Sequence, residues 1–161
     1  MPYRQDFGWK VDEIRVSPAD HNLLFVRLWP HPGGNPNDSA LGRPPFSGSD
    51  LYRSDDDAGT WTDVLAFHDG PPRTLLSGLA YDPLDPDHVW AAETTRTADP
   101  DDPQHLLKSS RLQESRDDGV SWSDLGQVID GSINDLVLGI DGRNLYAAPD
   151  SGVWRLPLSR G

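Results

Sequence analysis

The chain has 161 residues, a formal net charge of −12 and no cysteine. This length suffices for one domain with its own core, and the acidic balance argues against nucleic acid or an anionic membrane as a partner. The lack of cysteine excludes disulfides and thiolate metal sites, and the lack of an apolar run of about 18 residues argues against a membrane span. No apolar stretch typical of a secretory signal occurs near the N-terminus, so we predict no signal peptide and leave the compartment undetermined.

The first part of the chain predicts four short strands and no helix. Its segments are rich in β-branched and aromatic residues and are bounded by Gly, Pro, Asp and Asn, and none has a helical period. A Pro/Asp turn at 17–22 separates the first two segments, and a long stretch rich in Gly and Pro at 30–48 follows the second. We predict strands near 11–16, 23–28, 51–54 and 61–66.

The third and fourth of these strands are joined by an aspartate-rich turn that occurs twice in the chain. Its sequence is SDDDAGTW at 54–61 and SRDDGVSW at 115–122, and both copies read S-x-D-x-(G/A)-x-(T/S)-W. A repeat with its own turn chemistry is typical of stacked supersecondary units rather than of one irregular domain.

The rest of the chain repeats the same order of strands and turns. A Pro/Asp turn at 82–87 matches the turn at 17–22, and the loop 95–105 stands where 30–48 stands in the first unit. A third unit begins in the same way, lacks the proline in its first turn, and stops before a fourth strand. We predict strands near 75–81, 88–93, 106–109, 122–125, 133–138, 144–148 and 153–156.

Together these features predict a single all-β domain over 1–161, with units at about 9–67, 74–127 and 132–158. Four short antiparallel strands per unit are typical of a β-propeller blade. Closed propellers need about four to eight blades, so three blades, the last without its fourth strand, form an incomplete ring. The chain is then part of a longer propeller, a homodimer that closes a six-bladed ring, or an open arc, and segment 2–7 could supply a missing outer strand.

The repeated turn resembles the Asp-box (BNR) repeat of β-propellers, which is found in sialidases, sortilin-type receptors, xyloglucanase-type glycosidases and photosystem assembly factors. The second copy matches at every defining position, whereas the first has Ala58 where the family prefers Gly, with Gly59 one place later. The resemblance covers nearly the whole chain and implies structural roles in the two turns. The residues concerned are Ser54, Asp56, Gly59, Thr60, Trp61, Ser115, Asp117, Gly119, Ser121 and Trp122. Propellers of this family are often extracytoplasmic.

Within each turn we expect the aspartate to accept hydrogen bonds from backbone N–H groups, and the tryptophan to bury its ring between sheets. Calcium is the alternative, because Asp55, Asp56 and Asp57 are consecutive. However, the bidentate Glu of a calcium loop is missing, and Ala66 stands near that position. We therefore predict no metal and no cofactor at the turns.

Candidate ligand contacts lie in three loops that strand alternation brings to one face, at 30–48, 67–74 and 95–105. Long loops without regular structure commonly carry function, and aromatic side chains with Arg suit a glycan or a peptide. The candidates are Trp29, His31, Phe46, His68, Arg73 and Arg96.

Catalytic patterns are absent from the sequence. The R-I-P motif of sialidases does not occur, the histidines show no zinc spacing, and 26 acidic residues make any single carboxylate pair uninformative. Glu13 and Asp135 are the most inward carboxylates, and we assign no catalytic residue. The sequence thus favours a non-catalytic binding or assembly module that recognises a protein or glycan through the loop face. The alternative is a fragment of a glycoside hydrolase or sialidase-like enzyme.

Overall fold

A computed structural model describes residues 10–29, 50–66, 73–102 and 105–158. Across these ranges every regular element is a β-strand, and none forms a helix that could cross a membrane. The segment 2–7, the loop 30–48 and residues 67–72 lie outside the described ranges, as do three candidate contacts, His31, Phe46 and His68.

The strands form three antiparallel sheets in which chain neighbours pair. Sheet 1 contains β1 (Lys10–Val16), β2 (Leu24–Trp29), β3 (Asp50–Ser54) and β4 (Thr62–Ala66). Sheet 2 contains β5 (Arg73–Tyr81), β6 (Val89–Ala98), β7 (Leu106–Ser115) and β8 (Ser123–Asp130). Sheet 3 contains β9 (Ile133–Leu138), β10 (Asn144–Pro149) and β11 (Trp154–Pro157).

Sheet 2 extends further than its sequence suggests. Strands β6 and β7 pair without interruption as far as Ala98 and Leu106, so the connection predicted at 95–105 begins only at residue 99. The polar residues of segment 95–105 predicted a loop. Next to this segment, however, Thr94 and Ser110 are buried, and their hydroxyl oxygens lie 2.7 Å apart. Strand β5 likewise begins at Arg73, inside the predicted loop 67–74. Satisfied polar pairs thus extend the sheet where an apolar pattern is missing.

The core lies between the sheets, and sheet 2 is buried on both faces. Along β6, Val89 and Ala91 pack towards sheet 1, whereas Trp90 and Ala92 pack towards sheet 3. This alternation follows from the two-residue period of a strand. Sheet 2 is therefore the central layer of the three.

The two outer sheets present apolar side chains on their far faces. In β1, Ile14 is 60% exposed and Val16 is 50% exposed, on the side opposite to Phe25 and sheet 2. In sheet 3, Val137 is 52% exposed and lies beside Tyr146. Strand β11 pairs only with β10 among the described residues, whereas sheets 1 and 2 each have a fourth strand. The three sheets thus form an arc with apolar ends.

Candidate functional site

The two aspartate-rich turns have the same hydrogen-bond pattern. In the first, Asp56 accepts hydrogen bonds from the Thr60 N–H at 2.7 Å, the Thr60 hydroxyl at 2.9 Å and the Ser54 hydroxyl at 2.9 Å. In the second, Asp117 accepts them from the Ser121 N–H at 2.8 Å, the Ser121 hydroxyl at 2.6 Å and the Ser115 hydroxyl at 2.9 Å. Each carboxylate thus closes its own turn.

These hydrogen bonds stabilise the ionised carboxylates. The backbone N–H of Thr60 contributes most to lowering the pKa of Asp56 below its usual value, and the Ser121 hydroxyl contributes most to lowering the pKa of Asp117. Within the described ranges, no group of three or more His, Asp or Glu side chains could hold a metal ion. The turn aspartates are therefore engaged with the protein itself.

The glycine position of the turn is occupied by Ala58 in the first copy and Gly119 in the second. Both residues have a positive φ, 66° and 79° respectively, and both donate a backbone hydrogen bond to the serine four residues earlier. Gly59 is instead equivalent to Val120, since the N–H of each donates to the backbone oxygen of the turn aspartate. The first turn thus places an alanine in a conformation that favours glycine.

The second turn docks on sheet 1 through an ion pair. Arg53 of β3 donates to Asp55 at 2.9 Å and to Asp118 of the second turn at 3.4 Å. Burial raises the pKa of Asp118, and the neighbouring carboxyl of Asp87 raises it further, whereas Arg53 opposes this shift. The junction between sheets 1 and 2 therefore combines one guanidinium with several carboxylates.

At the opposite end of sheet 2, three cationic residues lie in a row across neighbouring strands. Arg73 of β5 pairs with Arg96 of β6, and Arg96 pairs with Lys108 of β7. The register thereby brings together two of the candidate contacts, Arg73 and Arg96, at the end where the 99–105 connection leaves the sheet. Lys108 was not among the contacts predicted from the sequence. Only the register of β7 against β6 places Lys108 beside Arg96. Like charges directly opposite one another destabilise a sheet, so anionic neighbours would stabilise this row.

One carboxylate, that of Asp150 in the turn between β10 and β11, contacts this row. Lys108 Nζ donates to Asp150 Oδ2 at 2.9 Å, and Asp150 also accepts hydrogen bonds from Asn134 and from the Ser132 N–H. The Lys108 ammonium contributes most to lowering the pKa of Asp150 below its usual value. The Nε of Arg96 is buried and has no hydrogen-bond partner in the described part of the chain. Of the other candidates, Trp29 ends β2, and its side chain lies outside the described residues, as does that of Arg73.

The inward carboxylates are bound by arginines. Arg15 forms ion pairs with Glu13 of its own strand and, at 3.7 Å, with Asp135 of β9. Arg27 approaches Glu13 at 3.4 Å. This network joins the inner strands of sheets 1 and 3. The two carboxylates that would be the catalytic candidates of a hydrolase are therefore both paired with arginine.

A cleft of about 580 Å³ lies between sheets 2 and 3 on the face of the aspartate-rich turns. Its polar wall includes Asp82, Asp85, His88, Glu114 and Arg116. Glu114 lies 2.7 Å from His88 Nε2 and 3.0 Å from an Arg116 nitrogen. The His88 ring packs against Trp90 with 3.9 Å between ring centroids and a tilt of 38° between the ring planes. Leucines and a proline of sheets 2 and 3 form the apolar wall. This cleft was not predictable from the sequence, because the cleft depends on the packing of two sheets.

Comparison with solved structures shows that the chain is similar in fold to the GH74 enzyme of Niastella koreensis. The similarity has a TM-score of 0.59 at 12% sequence identity and covers 94% of this chain, which spans 22% of that enzyme. No protein-family model matches the chain, and no curated protein is found as a relative. With the three antiparallel sheets, this similarity confirms the prediction of an all-β chain of propeller blades in an incomplete ring.

Proposed function

We propose that this chain is a non-catalytic recognition module that binds an anionic group of a glycan or protein at the loop face. The observation that supports the proposal is the row formed by Arg73, Arg96 and Lys108 across sheet 2. Guanidinium and ammonium groups recognise carboxylate, sulfate or phosphate oxygens through charge-assisted hydrogen bonds. An anion at this row would relieve the repulsion between its cations.

The charge of the whole chain makes this row unusual. With a net charge of −12, the protein repels anions at long range, so an anionic ligand would be held by short-range contacts at the row. Among the described residues, the carboxylate that forms an ion pair with this row is Asp150, and its partner is Lys108. The aromatic candidates are Trp29, which ends β2, and Phe46, which belongs to the sequence segment 30–48 outside the described residues, and they would add stacking contacts to a sugar or a peptide.

The resemblance to Asp-box propellers supports a scaffold role for the aspartate-rich turns. Their carboxylates are occupied by hydrogen bonds within each turn, as in Asp117 with Ser121. Recognition is then expected on the opposite face, where the cationic row and the loops lie. Fold similarity alone does not identify a ligand, so the proposal rests on the row.

Binding to arrays of neutral, carboxylated and sulfated glycans, together with acidic peptides, tests this proposal. The chain should retain an anionic ligand in low salt and release it as salt is raised. Arg96→Gln and Lys108→Gln should each weaken binding about tenfold, whereas the matched control Arg111→Gln, which removes an exposed cation of β7, should not. Equal binding of neutral and anionic ligands, or no binding to any of them, would contradict the proposal.

The apolar ends of the arc support a second role in assembly. Ile14 and Val16 at one end and Val137 at the other are exposed on sheet faces that a neighbouring blade would cover. The partner would be the remainder of a longer propeller or a second copy in a six-bladed ring. Sedimentation of the chain and of an Ile14→Lys, Val137→Lys variant tests this role, because a homodimer should dissociate in the variant.

A fragment of a glycoside hydrolase is the alternative function, because the solved structure with a similar fold is a GH74 enzyme, although the similarity concerns the fold alone. Glu13 and Asp135 would then be the carboxylates to examine, although both are bound by Arg15. Turnover of fluorogenic glycosides that disappears in Glu13→Gln and Asp135→Asn would support this alternative. Unchanged background hydrolysis in both variants would favour the recognition module.

A further inference from the structure

The wall of the cleft has a counterpart at the junction between sheets 1 and 2. Phe25 of β2 pairs with Arg53 of β3, and Trp90 of β6 pairs with Glu114 of β7. Arg53 and Glu114 each precede the serine that begins an aspartate-rich turn. Phe25 and Trp90 are therefore equivalent positions in successive sheets, and each faces the following sheet.

At the first junction, the turn of sheet 2 covers Phe25. A Cβ built on Gly119 would lie 2.7 Å from the Phe25 ring, which shows how closely this turn approaches. Trp122 packs against the same apolar cluster as Phe25 and Val64. The hairpin turn and its tryptophan thus close the junction.

At the second junction, the described part of sheet 3 provides no such turn or tryptophan. Strand β11 ends at Pro157, and Leu156, Pro157 and Leu158 line the cleft beside Trp90. Leu125, which corresponds to Val64, also lines the cleft. The cleft therefore occupies the position at which a third hairpin turn would dock.

A second groove continues from the cleft along the free edge of β11. It has a volume of about 200 Å³, shares Leu156 and Pro157 with the cleft, and is lined by Gln127, Ile129 and Trp154 among others. In sheets 1 and 2, the fourth strand pairs with the third at this position. The free edge of β11 can accept a strand in the same way, because its outer backbone groups pair with no described strand.

The charges at the two junctions are exchanged. At the first, Arg53 binds Asp55, two residues later, and receives Asp118 of the docked turn. At the second, Glu114 binds Arg116, two residues later, so the carboxylate and the guanidinium have changed places. A residue that docks in the place of Asp118 would therefore meet a carboxylate rather than a guanidinium. Glu114 also lies 2.7 Å from His88 Nε2, but Asp82 and Asp85 line the same cleft, so its carboxylates outnumber its guanidinium group and a docked cation would complement this wall.

The indole N–H of Trp90 adds a hydrogen-bond donor to this surface. Trp90 is fully buried, and its Nε1 has no acceptor among the residues described. A buried donor without an acceptor destabilises a protein, and a backbone carbonyl of a docked segment would satisfy it. At the equivalent position, Phe25 has no such donor.

We propose that the cleft and the β11 edge bind a β-hairpin of a partner polypeptide. Its turn carries Arg or Lys in the place of Asp118 and an aromatic residue in the place of Trp122, and its following strand extends sheet 3 beyond β11. Neither turn of a second copy fits, because Asp57 and Asp118 would each place a carboxylate against Glu114. This site lies on the opposite face from the cationic row, so the two proposals can fail separately.

A pair of disulfide-closed hairpin peptides tests the proposal on the full chain. One carries the turn SRDRGVSW, with arginine in the place of Asp118, and the matched control carries SRDDGVSW. Calorimetry should show about tenfold tighter binding of the arginine peptide, and the Trp90 indole signal in NMR spectra should shift on binding. Glu114→Gln should remove the preference and Glu114→Lys should reverse it, whereas Glu93→Gln, elsewhere on sheet 2, should leave it unchanged.

Three results would overturn the proposal. Equal affinity for both peptides, or no binding of either to the folded chain, would exclude a cation-bearing hairpin as the occupant. Self-association of the chain that Glu114→Gln abolishes would assign the cleft to a second copy. A Trp90 signal that shifts when residues 1–9 are removed would assign it to the N-terminal segment of the chain itself.

Discussion

Gly119 of the second turn lies directly against the ring of Phe25 in the neighbouring sheet. A Cβ on this glycine would approach two ring carbons to 2.7 Å, which is closer than van der Waals contact allows. The same glycine has a φ of 79°, and its carbonyl accepts a hydrogen bond from the Trp122 indole at 3.0 Å. The turn therefore combines a backbone requirement for glycine with a packing requirement.

We expect Gly119→Ala to destabilise the chain more than Gly126→Ala. Both glycines have a positive φ, but a Cβ at Gly126 would meet no atom within 4 Å, so the control carries the backbone strain without the clash. The difference between their free energies of unfolding in urea should be about 1–3 kcal/mol, as for overpacking of a core. Equal effects would show that the second turn does not press on Phe25.

The first turn predicts a stabilising substitution. Ala58 has a φ of 66°, which costs an L-residue about 1 kcal/mol relative to glycine. Ala58→Gly should therefore raise the melting temperature, although the added freedom of the unfolded chain offsets part of the gain. The control is Ala92→Gly in the extended strand β6, which should lower it. A lower melting temperature for Ala58→Gly would contradict the assigned backbone conformation.

The two tryptophans Trp90 and Trp122 should differ in their contribution to stability. Trp90 is fully buried, whereas Trp122 is only partly buried at the junction of sheets 1 and 2. We expect Trp90→Ala to cost about 4 kcal/mol and Trp122→Ala to cost about 2–3 kcal/mol in the free energy of unfolding. Urea denaturation measures both losses in free energy, provided that the m-values of the two variants equal that of the parent chain. A larger loss for Trp122→Ala would place the main core elsewhere.

The turn aspartates predict a loss of stability in acid. The pKa of Asp117 is lowered in the folded chain, so its contribution is fully present above the unfolded value of about 3.8 and is lost as the pH falls through the folded value. Asp117→Asn should therefore flatten the decline of stability below this pH. The folded pKa of Asp118 is raised, so its effect has the opposite sign: stability falls as the pH rises from 3.8 through the folded value.

Asp118→Asn provides the comparison for this experiment. This variant should remove the decline of stability that Asp118 causes as the pH rises above 3.8, because the asparagine side chain does not titrate. Denaturation of the parent and both variants at a series of pH values measures the slopes. Parallel curves for all three proteins would contradict both the hydrogen bonds assigned to Asp117 and the burial assigned to Asp118.

Much of the fold was predictable because its signals are local. Strand composition, Pro/Asp turns and the repeat at 54–61 and 115–122 depend on residues close in the chain, and they predict antiparallel sheets of consecutive strands. The ends of β6 and β7 were not predictable in this way. A buried Thr94–Ser110 contact joins the two strands where the extension begins, and no local pattern signals it.

The candidate sites likewise combine residues that the sequence could indicate with residues that only the tertiary structure brings together. Arg73 and Arg96 could be selected as loop-face cations from the sequence, but only the strand register places Lys108 beside them. The cleft around Trp90 and Glu114 was not predictable from either strand alone. It arises because two sheets pack face to face while the edge of β11 is left without a partner strand.

The sequence by itself determined the type of structure: a cysteine-free, acidic, all-β chain of repeated blades. The aspartate-rich turn of a blade forms hydrogen bonds within the turn itself. These properties follow from composition and from hydrogen bonds within a few residues. Only the tertiary structure decided which charges meet, through the pairs of Arg53 with Asp118 and Glu114 with His88. The physical reason is that strand register and sheet packing join residues far apart in the chain, and no local pattern encodes those distances.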